Sequence, residues 1–169
     1  QAATELIVTH CWPAHDVFHK EITEDFNAVN PNIKITYTNS PANYEEGHQL
    51  ILRQALTNQL PDIFYSGFHL LPPLGRQLLQ RKQITLMGDF LKQEGADWIK
   101  ANYSDRILGL ANFDSVQMAM PFNTSTPIVY FNEELVKQAG GDSYNFPPPW
   151  DRIFALAGRI DARGADIAG

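Results

Sequence analysis

Three histidines near the start of the chain have a spacing that could support metal chemistry. His15 and His19 are four residues apart on a predicted helix, where two imidazoles can face one metal ion, and His10 lies just before that helix. A zinc protease motif needs a Glu after the first of two such histidines, but Asp16 and Val17 stand there. The histidines therefore leave a metal-assisted hydrolase open, although exposed or helix-capping imidazoles are the usual state of such residues.

The single cysteine, Cys11, lies beside His10 and could form a nucleophile–base pair with it. A working nucleophile also needs a third, orienting group and an oxyanion hole, and no motif for either follows in the sequence. We therefore expect Cys11 to be a small buried thiol. One cysteine also excludes a disulfide framework within the chain and a zinc site built from cysteines.

Aromatic and polar residues follow three predicted strands. Flat apolar faces come from Trp12, Tyr44 and Phe68, and hydrogen-bonding groups come from Asn43, Ser66 and His69. In open α/β sheets, ligands bind outside the carboxyl ends of the strands, where these loops meet. A sugar ring suits this mixture, because its C–H faces stack on aromatic rings and its hydroxyls pair with polar groups. The alternative is that the aromatic side chains only pack the loops.

The elements that must position these loops alternate in type along the chain. Apolar runs and period-two alternation predict strands, and apolar residues at helical spacing predict the helices between them: strands near 6–8, 33–37 and 63–65, and helices over 16–29 and near 45–56. The acidic pair Glu45–Glu46 suits the N-terminus of the second helix better than a general-acid role. This order predicts βαβ units, a largely parallel sheet and right-handed crossovers.

The remaining sequence predicts shorter elements. Interrupted helical spacing between residues 70 and 103 favours several short helices over one long helix. Later patterns predict strands over 116–120 and 128–131, a helix over 133–139 with Asn132 as its N-cap, and a last helix after the proline run that begins at Pro147. The sequence shows no internal repeat.

Length and composition limit the classes of function. The 169 residues correspond to about one domain, and 44% of them are hydrophobic against 19% charged, which predicts a packed core and excludes a disordered tail. A net charge of −6 counts against a nucleic-acid partner, which needs clustered Lys and Arg. No apolar run approaches the roughly 20 residues that span a membrane, and the common nucleotide-binding loops are absent from the sequence.

One later stretch resembles a known family. Residues 121–132 read Pro-Phe-Asn-Thr-Ser-Thr-Pro-Ile-Val-Tyr-Phe-Asn and precede a helix that ends at Gly140-Gly141. This pattern resembles the first interdomain crossing of the ABC-transporter extracellular solute-binding proteins of family 1, above all their glycerol-3-phosphate-binding branch. Further segments resemble the family in the same order: 26–35, 43–45, 60–64 and 148–151.

The resemblance implies a fold and a division of the chain. The fold is α/β, a type II periplasmic-binding fold whose three-layer lobe has a mostly parallel sheet. Residues 1–126 would form the N-terminal lobe with the first hinge crossing at about 121–127, and residues 127–169 would begin a second lobe. Family members are more than twice as long as this chain and bind ligand in a cleft between the lobes, so the resemblance implies truncation after the first crossing.

The resemblance also implies ligand contacts. Tyr44, Ser125 and Thr126 match positions where the branch contacts ligand, and so do the loops after the first and third strands. The resulting ligand-binding set is Trp12, Tyr44, Ser66, Phe68, Asn123, Ser125 and Thr126. Phe68 stands where the glycerol-phosphate branch carries an acidic residue, and this departure counts against a glycerol-phosphodiester ligand.

The implied function is solute capture for an ABC importer. The protein would be periplasmic or extracellular, would close two lobes around a carbohydrate or glycerol-derived solute, and would deliver it to the membrane permease. No bond would be made or broken, and no cofactor, metal or nucleic acid would be needed. The start at Gln1, with neither Met nor an apolar leader, favours a mature chain without its signal peptide. The competing classes are a metal-assisted hydrolase that uses His10, His15 and His19, and a relative of the same fold that binds a metal ion or an oxyanion.

Overall fold

The computed structural model describes residues 4–146 and 149–164. The chain divides into two compact units, Gln1–Asn123 and Thr124–Gly169, and each is described by itself. The chain start at Gln1 and the first prolines of the predicted run, Pro147 and Pro148, lie outside the described residues.

A parallel sheet of three strands organises the first unit. Its elements follow in the order β1 (Thr4–Thr9), α1 (Asp16–Val29), β2 (Ile33–Tyr37), α2 (Tyr44–Leu56) and β3 (Ile63–Phe64). The strand order across the sheet is β2-β1-β3, with both neighbours parallel to β1. The predicted βαβ units and the predicted bounds of α1 are therefore confirmed.

The three strands end at the same edge of the sheet. Val8 lies opposite Tyr37 of β2 and Ile63 of β3. The pairing continues just past the strands, because the Tyr65 amide donates to the Thr9 carbonyl at 3.0 Å. The loops after all three strands therefore begin at one edge, as the sequence predicts.

Two helices pack on opposite sides of β1, because successive side chains of an extended chain point to opposite faces. His10, just past β1, stacks on His19 of α1. The next residue, Cys11, lies against Gly47 of α2, where a Cβ would collide with the Cys11 Sγ. The helices and the sheet between them form the predicted three layers.

An aliphatic core lies on the α2 side. It joins Ile51 and Ala55 of α2 to Leu74 and Leu78 of the next helix, and Phe64 of β3 packs against this cluster. All four aliphatic side chains are buried. Ile51 and Ala55 belong to the apolar stripe that helical spacing predicts for α2, and Leu74 and Leu78 are spaced in the same way on the next helix.

Short elements complete the first unit: α3 (Leu71–Gln80), α4 (Met87–Glu94), α5 (Ala96–Asn102), α6 (Asp105–Leu108), β4 (Asn112–Phe113) and β5 (Val116–Gln117). The several short helices predicted between residues 70 and 103 are confirmed. The strands β4 and β5 form an antiparallel hairpin whose turn residues, Asp114 and Ser115, have φ values of 54° and 63°. Gly75 of α3 lets the Met118 thioether approach closely, since a Cβ at Gly75 would lie 2.6 Å from its sulfur.

Three strand predictions need correction. The strand predicted over 116–120 is only Val116–Gln117, because its partner β4 offers two residues for pairing. Residues 128–131 form no strand, since none of the described residues supplies a neighbouring strand to pair with their amides and carbonyls. The strand predicted near 63–65 is only Ile63–Phe64, and Ile63 is 44% exposed on this edge strand of the sheet.

The second unit contains two described helices, α7 (Glu133–Gln138) and α8 (Trp150–Asp161). As predicted, Asn132 caps α7, because its side-chain oxygen accepts from the Glu134 and Leu135 amides at 3.0 and 3.2 Å. Val136 and Leu156 are buried, and Gly141 lies against both. These helices therefore share a small core.

Candidate ligand-binding site

Aromatic rings meet at the carboxyl edge of the parallel sheet. The Trp12 ring, in the loop after β1, lies 5.6 Å from the Tyr44 ring at the start of α2, in a T-shaped arrangement. It also lies 5.9 Å from Tyr65, just past β3, and 6.0 Å from Phe122. We call Trp12, Tyr44, Tyr65 and Phe122 the aromatic platform. Loops that are far apart in sequence thus form one apolar surface within the first unit.

Gly67 holds the β3 loop against this platform. A Cβ at Gly67 would lie 2.9 Å from the Tyr44 Cγ and 2.9 Å from the His69 Cε1, so only glycine permits this approach. The His69 ring packs edge-on to Tyr44 at 6.0 Å, and its Nε2 lies 3.4 Å from a Glu45 carboxylate oxygen. The first turn of α2 therefore contributes both a ring and a carboxylate to the site.

Two buried imidazoles support the platform from below. His10 and His19 stack with ring centroids 4.0 Å apart and an interplanar angle of 13°, and each is 1% exposed. His19 also lies nearly parallel to Trp12 at 5.8 Å and to Phe122 at 5.8 Å. The prediction of exposed or capping histidines is thus wrong for these two, because the aromatic loops cover them, whereas His15 is exposed.

The hydrogen bonds of His10 fix its tautomer. The Trp12 amide donates to His10 Nδ1 at 3.2 Å, so the ring proton resides on Nε2, which faces the Asp16 Oδ1 at 3.2 Å. Burial lowers the pKa of His10, and the Asp16 carboxylate opposes this effect only in part. A neutral His10 therefore orients the Trp12 backbone and the Asp16 side chain.

His19 has no hydrogen-bond partner at either ring nitrogen among the described residues, although both atoms are buried. Its backbone carbonyl accepts hydrogen bonds from the hydroxyls of Thr23 and Tyr37 at 2.9 and 3.3 Å. Burial, followed by the neighbouring His10, lowers the pKa of His19. The ring therefore acts as a flat neutral surface for stacking rather than as a proton donor.

The geometry gives no support to the catalytic alternatives. Within residues 4–146 and 149–164, no three His, Cys, Asp or Glu side chains come together to hold a metal ion. Ser40 Oγ lies 3.2 and 3.3 Å from the two His10 nitrogens and so is aligned with neither lone pair. Cys11 is buried, as predicted, and burial raises the pKa of its thiol to about 11, far from the thiolate that attack requires.

The structure brings some of the predicted ligand-binding residues together. Trp12 and Tyr44 are in contact, and Ser66 follows them at the same edge, where its hydroxyl donates to the Gly67 carbonyl at 3.2 Å. Phe68 is 68% exposed, and the aromatic ring it meets is that of His69. Asn123 is exposed at the end of the first unit, and the exposed Ser125 and Thr126 belong to the second unit.

Sequence reasoning missed two members of the platform. Tyr65 appeared to be the end of a buried strand, and Phe122 appeared only within a proline-bounded segment. Their rings pack at 4.9 Å, edge to face, although the two residues are far apart in sequence. The available signal was Tyr65's place at the end of the strand, next to Ser66, which was predicted from the loop that follows.

Two open cavities adjoin these loops. The first, of about 350 Å³, lies between the start of α1 and the end of β2, with His10, Asp16, Asn39 and Ser40 in its lining. The second, of about 500 Å³, is also lined by Asn39 and Ser40, and α2 residues such as Arg53 form its other wall. The carboxyl edge of the sheet thus combines aromatic faces with recessed polar groups.

The chain matches a known protein family. The family model described as bacterial extracellular solute-binding protein matches residues 13–169. The chain belongs to this solute-binding family. Members of the family are binding proteins.

Relatives of this solute-binding protein carry names that specify a ligand. The chain is 26% identical over 174 residues to the sn-glycerol-3-phosphate-binding periplasmic protein UgpB of Rhizobium meliloti, a match that covers 100% of this chain and 39% of that protein. The UgpB of Escherichia coli K12 is 26% identical over 146 residues, which cover 85% of this chain and 32% of the relative. The chain thus spans well under half the length of these relatives.

Solved structures confirm the predicted fold. The structure of UgpB from Mycobacterium tuberculosis in complex with glycerophosphocholine superposes with a TM-score of 0.71 at 18% identity, over 95% of this chain and 41% of that one. The sugar-binding protein MalE from Xanthomonas citri also gives 0.71, at 17% identity, over 96% and 38%. The partial coverage agrees with the expected truncation. In the part of the chain that the structure describes, no helix combines the length and apolar character that crossing a bilayer requires.

Proposed function

We propose that this chain captures a carbohydrate or a glycerol-derived solute for an ABC importer. The observation that carries the proposal is the Trp12–Tyr44 pair at the carboxyl edge of a parallel sheet, in a chain of the solute-binding family. Edge-to-face rings present both a flat face and a rim to a ligand. Because ligands of open α/β folds bind at this edge, the aromatic platform is the best candidate for the receiving surface.

The chemistry around the platform suits a hydroxyl-bearing ligand. The C–H faces of a sugar ring or glycerol chain bury apolar surface against Trp12 and Tyr44. Hydroxyls of the ligand find acceptors and donors in the side chains of Asn39 and Ser40, which line both cavities. His19 lies nearly parallel to Trp12 and Phe122 and so gives the platform a flat floor.

The proposal extends to the whole protein. Residues 1–126 serve as the first lobe, the crossing lies at about 121–127, and residues 127–169 begin the second lobe. Closure of two lobes by hinge motion would retain the solute and present a surface to the membrane permease, with no reaction catalysed. The protein would work outside the cytoplasmic membrane, as the periplasmic names of its relatives suggest.

The proposed contacts follow from this assignment. Stacking comes from Trp12, Tyr44 and Phe68, and hydrogen bonds come from Ser66, Asn123, Ser125 and Thr126. Phe68 is exposed beside His69, so its ring is available to a ligand without displacing the core.

A thermal-shift screen tests the proposal. The panel is maltose, maltotriose, glycerol, glycerol 3-phosphate and glycerophosphocholine, each raised to millimolar concentration. A solute present at about 100 times its dissociation constant stabilises the folded protein by roughly 2.7 kcal/mol, which raises Tm visibly. We expect at least one solute to raise Tm, and Trp12→Leu and Tyr44→Leu to reduce that shift.

Trp98→Leu is the matched control for this screen. Trp98 is 40% exposed on α5, away from the platform's contacts, so its replacement should leave the solute-induced shift intact. No shift with any solute, or an equal loss in Trp98→Leu, would contradict the proposal.

A further inference from the structure

The first cavity carries an uneven distribution of charge. Among its lining residues, Asp16 is the one with a charged side chain, since burial keeps His10 neutral. The remaining polar lining consists of uncharged side chains such as Asn39 and Ser40. A ligand group that enters this cavity therefore meets a negative potential with no compensating cation in its wall.

Asp16 is held in place rather than free to swing away. Its Oδ1 lies 3.2 Å from His10 Nε2 and 3.4 Å from Ser40 Oγ, so one oxygen is tied to the floor of the cavity. Its side chain is 66% exposed, and the second oxygen has no hydrogen-bond partner among the described residues. This oxygen is therefore available to accept a hydrogen bond from a ligand hydroxyl.

The negative charge of Asp16 lies at the start of a helix. Asp16 is the first residue of α1, a helix of 14 residues, and helix N-termini attract anions through their free amides and their dipole. Asp16 places a carboxylate in the first turn of this helix, where its Oδ1 contacts His10 and Ser40, while its own amide donates to the Pro13 carbonyl. A phosphate that approached the same loop would meet this negative charge, which its contacts with His10 and Ser40 hold in place.

We propose that Asp16 is a specificity-determining residue that rejects phosphate-bearing solutes and selects uncharged, hydroxyl-bearing ones at this cavity. The inference rests on the proposed function, because it assumes that solute binds at the carboxyl edge of the sheet. It separates this chain from relatives named for sn-glycerol 3-phosphate, whose ligand is anionic. A ligand hydroxyl donates a charge-assisted hydrogen bond to the Asp16 carboxylate, whereas a phosphate is repelled by it.

The test compares Asp16→Asn with the wild type. Asparagine keeps an oxygen that can accept from His10 Nε2, so the floor of the cavity is retained while the charge is removed. Binding of glycerol 3-phosphate is followed by the broadening of its ³¹P resonance, which detects millimolar affinities. We expect Asp16→Asn to bind this anion about tenfold more tightly than the wild type, with the gain shrinking at high salt.

Asp25→Asn is the matched control, because it removes the same charge from an exposed position on the same helix. We expect this variant to bind glycerol 3-phosphate as the wild type does. No gain in Asp16→Asn, or an equal gain in Asp25→Asn, would overturn the assignment of Asp16. If an uncharged solute raises Tm while Asp16→Asn gains nothing, the assignment of Asp16 fails and the proposed function stands. A gain in Asp16→Asn when no uncharged solute raises Tm supports the charge filter and counts against the proposed function.

Discussion

The two sides of the parallel sheet are built from different chemistry. On the α2 side, Ile51 and Leu74 belong to an aliphatic cluster that is almost completely buried. On the α1 side, the equivalent depth is filled by His10 and His19, stacked face to face beneath Trp12. Aliphatic packing gains stability from burial alone, whereas burying imidazoles costs desolvation. The α1 side therefore presents a flat stack of rings at a desolvation cost that the α2 side does not carry.

The largest expected effect lies on the α2 side. Leu74→Ala should lower the free energy of unfolding by about 2–5 kcal/mol, because it removes a fully buried side chain and leaves a cavity that the neighbouring helices fill only in part. Urea denaturation followed by circular dichroism measures the change. Leu79→Ala on the same helix is the control: Leu79 is 41% exposed, so its loss should cost well under half as much. Equal costs for the two variants would contradict the assignment of the core.

On the α1 side we expect a smaller effect on folding stability, and this effect depends on pH. Burial, and then the His10 imidazole, lower the pKa of His19, so the unfolded chain takes up a proton at a higher pH than the folded protein does. The stability contributed by neutral His19 is therefore complete above the usual pKa of about 6.5 and is lost as the pH falls below it.

His19→Phe tests this dependence, since phenylalanine keeps a flat ring and has no nitrogen to protonate. Between pH 7 and pH 5, the wild type should lose more Tm than His19→Phe, and the remaining loss in the variant should come from His10. His15→Gln changes an exposed histidine whose charge is the smallest of the influences on the pKa of His19, so this variant should lose nearly as much Tm as the wild type. If His19→Phe and the wild type lose Tm equally, the stacked imidazoles are not the source of the pH dependence.

The α2 side was the easier side to predict from sequence. Helical spacing predicts an apolar stripe of Leu50, Ile51, Ala55 and Leu56 on α2. Ile51 and Ala55 are buried, whereas Leu56 is 67% exposed. Local periodicity was enough to place β1, α1 and β2 as well. Residues 128–131 show the limit of the same reasoning. An apolar run favours a strand, but a strand also needs a partner, and the described part of the chain offers these residues none.

The α1 side was predicted only in part, because its features depend on contacts between distant loops. The order of the strands places Trp12 and Tyr44 at one edge, so their proximity could be expected from topology. Nothing in the local sequence indicates that Phe122 would pack on Tyr65, or that His10 and His19 would be buried against each other. Histidine has an intermediate tendency to be buried, so only the tertiary packing determines that these two are.

Trp12 lies at the centre of the proposed receiving surface, and a two-dimensional NMR titration tests this placement most directly. The chain has three tryptophans, Trp12, Trp98 and Trp150, whose indole N–H resonances can be assigned by single replacements with phenylalanine. The titrant is whichever solute gives the largest thermal shift. We predict that the Trp12 indole resonance moves progressively to saturation while the Trp98 resonance stays in place. A saturating solute that moves Trp98 and leaves Trp12 unchanged would contradict the placement of the binding surface at the carboxyl edge of the sheet.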